Sequence, residues 1–270
     1  MAETNIMLGL NAVCKTFNPG TINEKIALNN LTLNIEKGDF ITVIGGNGAG
    51  KSTMMNAVTG VFPIDDGSIV LDGEDITHLS EYKRARYFGR VFQDPMMGTA
   101  PNMEIEENLA LAYRRTKPHG LRCGITEKER VLYREALTRL DLGLENRMHA
   151  KVGLLSGGQR QALTLLMATL EQPKMLLLDE HTAALDPKTA DKVLRLTDEI
   201  VREGRLTTLM VTHNMKNAIE YGNRLIMMHE GQIILDIRGE EKQKLTVETL
   251  LGMFSRASGS EFTNDRALLS

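Results

Sequence analysis

The chain has 270 residues, 42% of them hydrophobic, which is ample for one core or for one core with a smaller subdomain. A formal charge of −3 leaves no global basic footprint and argues against nucleic acid as a partner. Two cysteines, Cys14 and Cys123, lack metal-ligand spacing and read as free thiols of a reducing compartment; no signal-peptide pattern is present, and no apolar run nears the roughly 20 residues that span a bilayer. The expectation is a soluble cytoplasmic protein that would work at a membrane only by docking to another chain.

In chain order, residues 6–14 read as a strand, followed by a turn at Asn18-Pro19-Gly20. Leu31, Leu33 and Ile35 alternate with Thr32 and Asn34, the period of a half-buried strand over Ala27–Ile35. Phe40-Ile41-Thr42-Val43-Ile44 is a buried strand, and Ser52–Val58 can run as a helix. Asp65-Asp66-Gly67 opens another strand over Ser68–Leu71, so the first third is strand-rich, with the helix after residue 51 as its one interruption. The stretch from about 97 to 170 changes character. Helical spacing covers Glu104–Tyr113 and Glu127–Asp141, separated by the basic, Pro- and Gly-broken stretch Arg114–Arg122. That stretch is either a solvated loop or a face towards anionic lipid or a permease. Strand and helix then alternate: strand Met175–Asp179, helix Pro187–Glu203, strand Thr207–Thr212, a hairpin over Arg224–Met228 and Gln232–Asp236, and a helix over Thr246–Phe254. A polar tail, 255–270, completes the chain. The class is α/β, with a helical subdomain inserted into a β-rich frame.

The chemistry centres on Gly45-Gly46-Asn47-Gly48-Ala49-Gly50-Lys51-Ser52-Thr53, which has the Gly-x4-Gly-Lys-Ser/Thr spacing of a phosphate loop between a strand and a helix. Glycines let the backbone close around phosphate oxygens, the helix dipole favours the anion, Lys51 adds a charge, and Ser52 offers a hydroxyl to Mg²⁺. Nucleoside triphosphate binding follows, against the alternative of an ordinary glycine turn. The strand ending at Asp179 can hold Mg²⁺, and adjacent Glu180 can address a water, unless the two are merely solvated strand-end acids. Leu155-Ser156-Gly157-Gly158-Gln159 opens a helix over Gln159–Glu171 and makes a second anion-ready helix start, or else a plain capped helix. One chain has one phosphate loop, so a nucleotide at this second start comes from elsewhere, and a neighbouring subunit is the economical source.

Leu155-Ser156-Gly157-Gly158-Gln159, about twenty residues before Leu176-Leu177-Leu178-Asp179-Glu180, resembles the signature motif of the ATP-binding cassette (ABC) family. Phe92-Gln93-Asp94 resembles that family's Q-loop, Ala184-Leu185-Asp186 its D-loop and Val211-Thr212-His213 its switch-histidine strand, and Phe17 sits where the family has an aromatic that stacks on adenine. The resemblance covers roughly residues 6–240. It implies a P-loop NTPase (RecA-like) core with an N-terminal antiparallel β subdomain and an inserted α-helical subdomain. One ATPase domain would span 6–254, its core about 6–95 and 171–240 and its helical part about 96–170. It also implies a head-to-tail dimer around two ATP molecules. Lys51 and the loop amides would hold the β- and γ-phosphates, and Ser52, Gln93 and Asp179 would serve Mg²⁺. Glu180 would act as general base and His213 would bond the γ-phosphate. Leu155, Ser156, Gly157, Gly158, Gln159 and Asp186 would contact the nucleotide held by the other subunit. His181 departs from the family, which most often has Pro there; it is a simple variant or a pH-sensitive neighbour of the base.

Details of both loops look most like cassettes paired with permeases of the branched-chain amino-acid type. The resemblance therefore implies the ATPase of a bacterial importer for an amino acid or similar small solute. Its partners would be a separate permease and a solute-binding protein, with the chain peripheral on the cytoplasmic face of the inner membrane. The alternative is a soluble cassette ATPase serving assembly or regulation, as in iron–sulfur assembly.

Overall fold

β-Branched and apolar runs build the strands, and capped amphipathic stretches build the helices. The computed structural model describes residues 5–117 and 124–258. The chain begins with strands β1 (Ile6–Phe17), β2 (Lys25–Glu36) and β3 (Phe40–Ile44), then helix α1 (Lys51–Thr59). Next come β4 (Asp66–Leu71), β5 (Glu74–Asp75), α2 (Glu81–Arg84) and β6 (Phe88–Val91). Three helices follow, α3 (Ile105–Tyr113), α4 (Glu127–Thr138) and α5 (Gly157–Thr169), and then β7 (Met175–Asp179) and α6 (Pro187–Gly204). The last elements are β8 (Thr207–Val211), α7 (Met215–Glu220), β9 (Arg224–His229), β10 (Gln232–Arg238), α8 (Gly239–Gln243) and α9 (Val247–Ser258).

The chain forms two compact units, one from Met1–Ala85 with Arg205–Ser270, the other from Arg86–Gly204. In the first, β2, β1, β4 and β5 make an antiparallel sheet, and β3 lies parallel between β8 and β9, with β10 antiparallel on β9. Every residue of β3 and β8 is buried, as a strand covered on both faces requires. In β2 the expected alternation appears, with Leu31, Leu33 and Ile35 buried and their neighbours exposed. Fully buried Arg224 ties this unit together. It donates to Asp236 Oδ1 and Oδ2 at 2.7 and 2.6 Å and to the Asn34 carbonyl at 2.6 Å. Burial opposes the Asp236 charge, but the Arg224 hydrogen bonds outweigh it and hold the carboxyl below its ordinary range.

In the second unit β6 runs parallel to β7, and α3, α4 and α5 pack around Ile105, Leu109, Tyr133, Leu137, Leu163 and Leu166. α4 begins at Thr126 with a capping box closed by Glu129.

Several boundaries differ from the expectation. β1 continues to Phe17 because a bulge between Leu10 and Val13 breaks the alternation without ending the strand. α4 stops at Thr138, not Asp141, which takes a left-handed φ of 51° ahead of Gly143. α5 starts at Gly157, two residues early, and α9 runs on to Ser258. The first third is also interrupted by α2 as well as α1. In the basic stretch, Arg114 makes a bidentate pair with Glu129, and Lys117 pairs with Glu171 at 3.2 Å, so these two cations are engaged within the chain. Pro118–Arg122, Cys123 and the tail beyond Ser258 lie outside the described residues; Cys14 is a free, half-buried thiol.

Candidate active site

The first unit carries the phosphate loop. β3 delivers the chain to Gly45, whose φ is 151° and whose missing Cβ would lie 2.3 Å from the Met228 carbonyl oxygen. At Gly50, with φ 99°, a Cβ would come within 2.6 Å of the Ala27 carbonyl oxygen. Both positions demand glycine on conformation and on space. Lys51 opens α1; its ammonium is buried and donates to the carbonyls of Gly45 at 2.7 Å and Gly46 at 3.2 Å. Asn47, Gly48 and Ser52 are exposed, and Gly46 and Thr53 are half-buried. The start of α1 has no side-chain cap and no acid in its first turn, unlike α3 and α4, which carry glutamates there. An uncapped, acid-free helix start preceded by a glycine loop is an anion site.

β8, beside β3, leads to His213. The Thr212 amide donates to the Val43 carbonyl at 3.0 Å, so His213 leaves the sheet next to the strand that carries the loop. Asn214 then caps α7 by accepting from the Asn217 amide. Phe17, the last residue of β1, is half-buried and meets Phe62 edge to face, with centroids 5.2 Å apart.

The second unit carries the carboxylates. β7 is buried up to Leu178 and ends in half-buried Asp179. Glu180 follows in a left-handed backbone conformation, φ 46°, which costs a non-glycine residue about 1–2 kcal/mol. Gln93 is exposed just past β6, and the Phe92 carbonyl there accepts from Gln161 of α5 at 3.3 Å.

Ser156 caps α5 in a reciprocal box with Gln159. The Gln159 amide donates to Ser156 Oγ at 3.3 Å, and the Ser156 amide donates to Gln159 Oε1 at 3.2 Å. Accepting leaves the serine O–H proton available to a ligand. Ser156 and Gly157 are exposed; Leu155 is buried in the apolar core, so it can offer a ligand only its backbone. A Cβ on Gly158 would strike Thr189 Cγ2 at 2.2 Å, which fixes glycine against the start of α6. Asp186 accepts from the Thr189 amide at 3.1 Å and caps α6, whose first residue is Pro187. Hydrogen bonds from Thr189 hold the Asp186 carboxyl below its usual range.

His181, next to Glu180 in the chain, is buried against α6. It is 2% exposed, and burial pushes its pKa down to about 4. The Thr197 hydroxyl gives its proton to the Val193 carbonyl at 2.8 Å, so His181 Nε2, 3.1 Å from that oxygen, carries the ring proton. A neutral ring bonded into α6 fits the simple-variant reading.

Two arginines escaped the sequence reading. Arg90 Nη2 lies 3.5 Å from Asp179 Oδ2, and the pairing of Arg90 with Leu177 puts it one strand over from the carboxylate. A lone charge inside the apolar run Phe88–Val91 was its signal. Arg160 donates to the carbonyls of Gly153 and Leu155, both at 3.1 Å, and so braces the turn that presents Ser156. Its place four residues after the cap gave no such signal.

Residues 28–183 match the family described as ABC transporter. Over 256 residues the chain is 48% identical to the Tyrosine transport ATP-binding protein of Clostridioides difficile, covering 93% of this chain and 100% of that protein. It is 34% identical over 236 residues to the Methionine import ATP-binding protein MetN of Bartonella henselae, covering 86% of this chain but only 65% of that longer protein. Among solved structures it is similar to the ATP-binding cassette MJ0796, determined as a dimer bound to ADP and Pi, with a TM-score of 0.73, 30% identity, and coverage of 86% of this chain and 98% of that one. The glycine loop, the strand-end carboxylates and the capped Ser-Gly-Gly helix thus stand in the fold of a P-loop ATPase, and the chain belongs to the ABC transporter family as an ATP-binding and ATP-hydrolysing cassette.

Proposed function

We propose that this cassette energises a bacterial importer for an amino acid, with tyrosine the first solute to test. One observation carries the solute class: the 48% identity with a tyrosine transport protein over that protein's whole length. Residues 6–254 act as one ATPase domain with its helical part at about 96–170. Phe17 stacks on adenine, while Lys51 and the amides of Gly45 to Thr53 hold the triphosphate. Glu180 takes the proton of the attacking water, and His213 bonds the γ-phosphate. The hydroxyl of Ser52, the amide oxygen of Gln93 and the carboxylate of Asp179 would each offer Mg²⁺ an oxygen donor, the ligand type this ion takes. When bound, that ion would supply charge neutralisation at the phosphates.

In this reading Leu155, Ser156, Gly157, Gly158, Gln159 and Asp186 of a second copy complete the site. A separate permease and a solute-binding protein complete the transporter, with the cassette peripheral on the cytoplasmic face of the inner membrane. Two facts support docking. No helix among the described residues is long and apolar enough to cross a membrane. Met96 and Met97, just past Gln93, are 41% and 69% exposed, an adaptable apolar surface next to a candidate site residue.

The deciding experiment pairs two measurements. Glu180→Gln should keep ATP binding, lower hydrolysis at least a hundredfold and accumulate an ATP-bound dimer on gel filtration; turnover at the parental rate would remove Glu180 as the base. Affinity purification from membranes should recover a multi-span protein, and deleting the cassette should abolish tyrosine uptake. Recovery of a soluble scaffold complex instead would favour the assembly-factor reading.

A further inference from the structure

Lys25 is the first residue of β2, and the β1–β2 register sets it opposite Phe17. Directly paired residues of an antiparallel ladder project from the same face. The Lys25 side chain reaches the phosphate loop: its Nζ lies 3.3 Å from the position a Cβ would take on Gly48, in the exposed middle of the loop. No described residue gives the Lys25 ammonium an ion pair or a hydrogen bond. Lys51, by contrast, is buried with its ammonium on the loop carbonyls. Two ammonium groups and the positive end of α1 therefore converge on one loop with no acid in the first helical turn. Like charges gathered this way repel unless an anion joins them.

We propose that Lys25 is a second phosphate-binding cation, outside the glycine-loop motif, that contacts the triphosphate of the bound nucleotide. This rests on the assignment of Phe17 and Lys51 to adenine and phosphates, and it gives the end of the β1–β2 hairpin two tasks. Phe17 reads the base, and its cross-strand partner Lys25 reads the phosphates. The hairpin end is held in place for this work. Asp65 accepts from Lys15 Nζ at 2.7 Å and from the Thr16 amide at 2.6 Å. Phe62, three residues beyond the end of α1, abuts the Phe17 ring edge to face. The chain leaving the phosphate-loop helix thus supports the aromatic platform.

The test titrates the parent protein, Lys25→Ala, Lys25→Arg, Phe17→Ala and Lys51→Ala with Mg²⁺ and either the non-hydrolysable analogue AMP-PNP or inorganic tripolyphosphate, by calorimetry at low and high salt. Lys25 is exposed, so thermal melts should match the parent. Lys25→Ala should weaken both ligands about five- to tenfold, Lys25→Arg should restore most of the loss, and the effect should shrink as salt rises. Phe17→Ala should weaken AMP-PNP and leave tripolyphosphate unchanged. If Lys25→Ala binds both ligands within twofold of the parent while Lys51→Ala fails, the proposal is wrong and the phosphate-loop reading stands. If Lys25→Ala weakens AMP-PNP alone, the contact is to sugar or base, which also overturns it. Normal binding by Lys51→Ala would instead remove the reading on which the proposal rests.

Discussion

Tyr133 is fully buried among α3, α4 and α5, its ring edge to face with Tyr113, and its hydroxyl has no described hydrogen-bond partner. Burial pushes the phenol pKa up, so the group stays neutral and its oxygen remains a polar atom in an apolar setting. An unmade buried hydrogen bond costs about 1–3 kcal/mol, whereas an apolar group of the same shape costs nothing comparable. Tyr133→Phe should therefore stabilise the protein by about 1 kcal/mol in urea denaturation and leave ATPase activity at the parental level. A loss of stability would mean that the hydroxyl is bonded in solution. His181 shows the satisfied counterpart: an equally buried polar ring whose Nε2 has a hydroxyl acceptor. In sequence both stand beside charged residues, Tyr133 before Arg134 and His181 after Glu180, and only the presence of a neighbour at hydrogen-bond distance separates them.

At the scale of elements, α1 is held from both ends. Its start is the glycine loop, and its end is capped by a side chain 25 residues past Thr59. Buried Arg84 donates to the carbonyls of Ala57 at 2.8 Å and Val58 at 2.9 Å, in the last turn of α1, and to Thr77 and Leu79. A cation at a helix C-terminus favours the dipole, and four carbonyls satisfy the guanidinium. Arg84→Met would keep the stem but remove the guanidinium from those carbonyls, of which Ala57 retains the Gly60 amide at 3.2 Å. It should cost roughly 3 kcal/mol, read as a lower denaturation midpoint. It should also weaken ATP binding, because the loop is anchored by the helix that frays; a variant as stable as the parent would discount the cap.

This contact also marks the limit of what the sequence makes legible. Long elements with a clear period, such as β2 and α6, stand out, as do the short unbroken apolar runs of β3 and β7 and the glycine loop, because pattern and motif act over neighbouring residues. β6, α2, α7 and α8 span four to six residues each, too few to display a period. A buried arginine such as Arg84 or Arg224 looks like surface in sequence, since its partners are carbonyls and acids brought near only by folding.

For the whole molecule, the question is why one chain should carry two helix starts ready for anions. α1 and α5 both begin without an acid in the first turn, but only α1 is preceded by a glycine loop with a lysine. The α5 start offers the Ser156 hydroxyl and a glycine pair, which can grip a phosphate but cannot supply the charge of Lys51. Such a half-site is useful if it closes over a nucleotide held by another copy, head to tail. Mixed dimers test this directly. In a homodimer of Lys51→Ala or of Ser156→Arg both composite sites are damaged, and hydrolysis should fall at least a hundredfold in each. In the heterodimer of the two variants, a shared arrangement places both lesions in one composite site and leaves the other intact, so about half of the parental activity should return. If each chain instead contained its own complete site, both would be broken and the heterodimer would be as inactive as either homodimer. Differently tagged copies, purified through both tags and assayed for phosphate release, separate these outcomes.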